Sequence, residues 1–106
     1  MDYEDFFRKR LFALMDQNGI AAYKLSKALG FGKNYFTKLL AGESLPKLRD
    51  FFRICEYFGI TPEEFFDDRL KYPQKAKKLQ GMIGELGSEE LDMIMPIVER
   101  LSQKTV

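Results

Sequence analysis

The chain contains no histidine and a single cysteine, Cys55. One thiol cannot build an internal disulfide framework, which fits a reducing compartment. With no histidine and no second thiol, a zinc site and a histidine-based catalytic dyad both fall away as readings. Apolar runs are short, none approaching the roughly 20 residues that span a bilayer. The stretch MDYEDFFRKR opens acidic and lacks the basic start and apolar core of a signal peptide. Repeats, low-complexity tracts, a phosphate-binding loop and a pocket-like pair of spaced carboxylates are missing too. Asp67-Asp68 and Glu89-Glu90 read more simply as helix-end charges. No segment shows the strict alternation or β-branched richness of strands. The expectation is a soluble cytoplasmic all-α protein, not an enzyme, with no cofactor, no metal and no membrane partner.

What is present is enough for a core. Of 106 residues 45% are hydrophobic and ten are Phe, which suits one compact domain with a short appendage. The net charge of +1 carries no argument, but its distribution does. Between residues 20 and 53 stand Lys24, Lys27, Lys33, Lys38, Lys47, Arg49 and Arg53 against Glu43 and Asp50 only. The acids cluster outside this stretch, at Asp2, Glu4 and Asp5 and again at Glu63, Glu64, Asp67 and Asp68. A solvated helix face would also carry scattered lysines, so the charge pattern needs a motif beside it.

Helical punctuation runs along the whole chain. Tyr3, Phe7, Leu11, Leu14 and Met15 recur at the spacing of one helical face up to Asn18-Gly19. A second helix is expected over about 22–29, closed by Gly30, and a third over about 33–41, closed by Gly42. Pro46 marks the entry to a fourth, about 47–58, whose buried stripe would be Leu48, Phe51, Phe52, Cys55 and Phe58. Thr61 is the expected cap of a fifth helix with Pro62 at its first position and Glu63 and Glu64 at its positive end. A basic helix follows over about 73–83. Ser88 is the expected cap of a last one, which carries Leu91, Ile94, Met95, Val98 and Leu101 on one face. Pro96 falls inside that helix, at a cost of about 3 kcal/mol relative to alanine unless packing compensates.

The run AYKLSKALGFGKNYFTKLLAG, residues 22–42, is the most informative stretch. Two short helices meet at a tight turn, and all four charges are positive. The second helix carries Lys33, Asn34, Thr37 and Lys38 on one side and Phe36 and Leu39 on the other. That is the layout of a helix-turn-helix, in which the core holds one side of a helix while its outer side enters the DNA major groove.

Residues 7–66 resemble the phage Cro/CI-type (xenobiotic-response-element) helix-turn-helix family. The resemblance rests on an ordered set: Gly19-Ile20, the LSKALG of residues 25–30, Phe31 in the turn, Phe36 and Leu39, Gly42, Pro46 and Leu48, and CEYFGITPEEFF. It implies a five-helix, lambda-repressor-like helix-turn-helix bundle with about two additional C-terminal helices. The division would be a DNA-binding domain over 1–67 and a helical extension, a possible dimerisation segment, over 68–106. It also implies a repressor-like regulator of transcription, bacterial or phage, in the cytoplasm and on the nucleoid when bound. Lys33, Asn34, Thr37 and Lys38 would contact bases, and Lys24, Lys27, Tyr35 and Lys47 the DNA backbone. The side chains suit these roles: lysine donates to guanine O6 and N7, asparagine pairs with adenine, and threonine meets an edge or a thymine methyl.

Three departures from the family pattern keep a second reading open. Ala22 stands where many members begin the second helix with a bracing glutamine. Leu40-Ala41-Gly42 replaces a common Glu-Asn-Gly, and Met15 replaces the arginine that pairs with that glutamate. Replacing both partners of an ion pair by apolar residues can be neutral or stabilising, whereas losing one is costly. The first reading is a sequence-specific DNA-binding homodimer zipped by Leu91, Ile94, Met95, Val98 and Leu101. The second is a protein-interaction adaptor or antitoxin-like module with weak or no DNA binding.

Overall fold

Asp2 begins the first helix by accepting the backbone N–H of Asp5 at 3.1 Å, with Glu4 and Asp5 in the positive first turn. The structure, a computed structural model, describes residues 1–103. These form α1 (Tyr3–Gln17), α2 (Ala22–Leu29), α3 (Tyr35–Leu40), α4 (Leu48–Phe58), α5 (Pro62–Phe65), α6 (Pro73–Ile83) and α7 (Ser88–Gln103). The class is all-α, with no strand among the described residues. No described helix is long and apolar enough to cross a membrane.

The chain divides into two compact units, Met1–Gln74 and a second beginning at Lys75. The core of the first is built from α1 to α5. Phe7, Phe51 and Phe65 form a triangle with ring centroids 6.2, 5.5 and 5.1 Å apart, the closest pair edge to face. Leu11, Leu14, Leu25, Phe36, Leu39 and Ile54 fill the space below, each essentially without solvent contact. Arg10 is buried in this unit as well. Its Nε donates to the Phe65 carbonyl at 2.8 Å and its Nη2 to that of Asp67 at 2.6 Å. Its guanidinium lies 5.2 Å from the Phe6 ring centroid. The guanidinium thus satisfies the Phe65 carbonyl at the end of α5 and gives a second donor to that of Asp67, which also accepts the Leu70 N–H at 3.2 Å.

Several local expectations are met by geometry. Gly30, at φ 73°, takes the left-handed conformation that ends α2 and that only glycine adopts cheaply. Thr61 and Glu64 form a reciprocal capping box at α5, with bonds of 3.0 and 2.8 Å. Others are corrected. The stripe of α4 is Phe51, Ile54, Cys55 and Phe58, while Leu48 and Phe52 are exposed. Tyr3 is exposed too. Tyr3 and Leu48, with Leu45, Pro46 and Phe66, line an apolar groove of about 330 Å³ between α1 and the chain entering α4.

In the second unit α7 begins at Ser88, but the residue at its cap is Gly87. The Gly87 carbonyl accepts from Leu91, and its N–H donates to Glu90 Oε1 at 2.9 Å. The helix continues through Pro96. None of its residues is buried: Leu91 and Ile94 are half-covered, while Met93, Met95, Ile97, Val98 and Leu101 are each about half or more exposed.

Candidate nucleic-acid interface

The turn between α2 and α3 decides how the basic residues are displayed. α2 points Leu25, Ser26 and Leu29 into the core, which leaves Lys24 and Lys27 in solvent. Past Gly30 the N–H of Phe31 returns to the Ser26 carbonyl at 2.8 Å, and that of Tyr35 to Gly32 at 3.0 Å. The third helix is shorter than the expected 33–41 at both ends. Asn34, at φ −104° and ψ 12°, is outside helical geometry, and its side chain makes no capping bond. Lys33 and Asn34 therefore stand on the turn ahead of α3 and Thr37 and Lys38 on the helix itself, all four exposed. Phe36 and Leu39 are buried on the opposite side, 0% and 1% exposed.

Beyond α3, Gly42 at φ 77° turns the chain away, with the side chain of Arg8 3.4 Å from where a Cβ would stand. Lys47 occupies the cap position of α4 and is exposed. Among the described residues, no ion pair engages Lys24, Lys27, Lys33, Lys38 or Lys47, whereas Arg8 and Lys9 pair with Asp5 and Arg69 with Asp67. These five ammonium groups thus keep their charge available to an anionic partner.

Tyr35 behaves differently from the lysines. It is half-buried, its ring centroid 4.4 Å from that of Phe31 and 5.1 Å from that of Phe36. Its hydroxyl donates to Asp50 Oδ2 at 3.1 Å, across to α4. Desolvation, then the hydrogen bond to Asp50 and that residue's charge, push the phenol pKa above its ordinary value. Three residues on, Arg53 stacks its guanidinium 4.7 Å over the Phe31 ring and donates to the Leu29 carbonyl. Asp50, Arg53 and Phe31 in this arrangement were not visible as a unit in the sequence. Two of the contacts span 15 and 24 positions, and the sequence shows only an ordinary i, i+3 pair on α4.

At the positions where the chain departs from the family pattern, apolar packing stands in place of polar bracing. Met15 lies in the core, and Ala22 and Leu40 pack partly buried against it. Leu40 also shares a surface depression with Arg8 and Phe12 of α1. Ala41 is exposed.

Residues 10–69 match the family model of the Cro/C1-type HTH DNA-binding domain, a stretch that holds most of α1 and all of α2 to α5. No curated protein and no solved structure matches the chain.

Proposed function

We propose a function from one premise: the chain belongs to the Cro/C1-type HTH DNA-binding family. It is in general terms a DNA-binding regulator whose partner is double-stranded DNA. Our reading goes further, to a sequence-specific regulator of transcription, not an enzyme, acting in the cytoplasm and on the nucleoid. The turn and helix from Lys33 to Lys38 enter the major groove. Lys33, Asn34, Thr37 and Lys38 read base edges, and Lys24, Lys27 and Lys47 hold phosphates. The observation that carries this is the two-sided display at α3: Phe36 and Leu39 are anchored in the core, while Lys33 and Asn34 ahead of the helix and Thr37 and Lys38 on it are all exposed, with no ion pair engaging the lysines among the described residues.

A single module of this size makes few specific contacts, so we infer a homodimer that places its two recognition helices about 34 Å apart in successive major grooves. The apolar face of α7 supports Leu91, Ile94, Met95, Val98 and Leu101 as the zipper: Met95, Val98 and Leu101 are exposed beside the half-covered Leu91 and Ile94, and an exposed apolar patch is the surface an association buries. Met93 and Ile97, exposed on another side of α7, favour the runner-up reading, in which the extension binds a different protein.

Binding to mixed genomic DNA tests the reading. If Lys24, Lys27 and Lys47 of both subunits each neutralise a phosphate, affinity falls roughly 10³-fold between 50 and 200 mM salt. Flat, weak binding across that range would refute it. Selection from random duplexes should return a palindrome. Lys33→Ala and Asn34→Ala should relax base preference, and Lys24→Ala should weaken all sequences alike.

A further inference from the structure

We infer that Asp50 and Arg53 of α4 are positioning residues that set the angle at which α3 meets DNA, and that Tyr35 belongs to this brace and not to the phosphate contacts. The inference rests on the reading of α3 as the DNA-facing helix. α3 has six residues, fewer than two turns, so its orientation must come from tertiary contacts and not from helical propensity. Phe36 and Leu39 anchor its inner side, but its entry at Lys33 and Asn34 has no side-chain cap, and Ala22 offers no polar reach from α2.

α4 supplies what is missing. Through Tyr35 and Asp50 it holds the first residue of α3, and through Arg53 it holds both the last carbonyl of α2 and the Phe31 ring on which Tyr35 stacks. Asp50 and Arg53 lie three residues apart on α4, so one rigid helix grips the end of α2, the turn and the start of α3 together. A phenol has one proton, and phosphate oxygens only accept. While that proton is given to Asp50, Tyr35 cannot also donate to the backbone, and the carboxylate beside it repels an approaching phosphate.

The test is a double-mutant cycle on a duplex recovered by the wild-type protein from a random pool. Tyr35→Phe and Asp50→Ala should each weaken binding about five-fold, the scale of one hydrogen bond, and the double variant should be no weaker than either. Asp50→Asn, which keeps an acceptor, should restore binding to within about two-fold. The salt slope should stay unchanged in all of these and in Arg53→Ala, since no phosphate contact is removed. Additive losses, tighter binding by Asp50→Ala, or a shallower slope in Arg53→Ala would overturn the inference. Failure of the underlying reading appears separately, as wild-type binding by Lys33→Ala or as no duplex recovered. Hydrogen exchange then decides on the free protein. Amides of Tyr35–Leu40 should exchange faster in Tyr35→Phe and Asp50→Ala while those of α1 do not, and unchanged protection of α3 overturns the brace.

Discussion

Replacing Arg10 with alanine is expected to cost about 4 kcal/mol of folding free energy. The side chain is 7% exposed, and two of its donors reach carbonyls of Phe65 and Asp67 at 2.8 and 2.6 Å. Hydrogen bonds from a charged donor contribute roughly 1.5–3 kcal/mol each. The lower figure applies here, because Asp67 is only part-buried and water can reach its carbonyl once the guanidinium is gone. The stacking over Phe6 at 5.2 Å adds about 0.5–1 kcal/mol, and the alkyl stem leaves some packing behind it. Urea unfolding followed by circular dichroism measures the sum. With a slope near 1 kcal/mol per molar, the midpoint should fall by about 4 M at unchanged slope. Arg10→Met keeps most of the stem and loses the donors, so its midpoint should lie between those of wild type and Arg10→Ala. A shift under about 0.5 M for Arg10→Ala would refute the argument, because the staple from α1 to the end of α5 would then make no net contribution.

Two further outcomes are expected. Val98→Asp places a charge in the exposed stripe of α7 and should shift the sedimentation mass from dimer to monomer; an unchanged mass would assign that stripe to the subunit itself. Ser26→Ala should raise stability by about 1 kcal/mol, because Ser26 is 1% exposed and its hydroxyl has no hydrogen-bond partner among the described residues. A lower urea midpoint for that variant would mean that the hydroxyl finds a partner in solution.

The sequence was most legible where structure depends on neighbours a few positions away. The end of α2 follows from Gly30, the start of α5 from the Thr61, Pro62 and Glu64 cap, and the start of α6 from Pro73. α4 shows where periodicity ran out. Leu48, Phe51, Phe52 and Cys55 satisfy the i, i+3, i+4, i+7 spacing as well as Phe51, Ile54, Cys55 and Phe58 do, so the helix has two candidate faces. Packing decided between them: Phe51 meets Phe7 and Phe65, Ile54 goes into the core, and Leu48 and Phe52 are left in solvent.

The same division runs through the candidate site. Which residues carry charge at α3, and which apolar pair anchors it, could be read directly, because helix geometry separates Lys38 from Leu39 by a fixed rotation. Whether a polar residue faces DNA or the protein could not. Tyr35 and Arg10 look like surface groups in a local pattern, yet one donates to a carboxylate 15 positions away and the other to carbonyls 55 and 57 positions away. By itself the sequence determined the helix ends marked by Gly30, Thr61 and Pro73, charge placement and the helix-turn-helix pattern, since these depend on backbone chemistry within a turn or two. Only the tertiary structure decided which polar side chains are consumed in holding that pattern rigid, since their partners are brought near by folding alone.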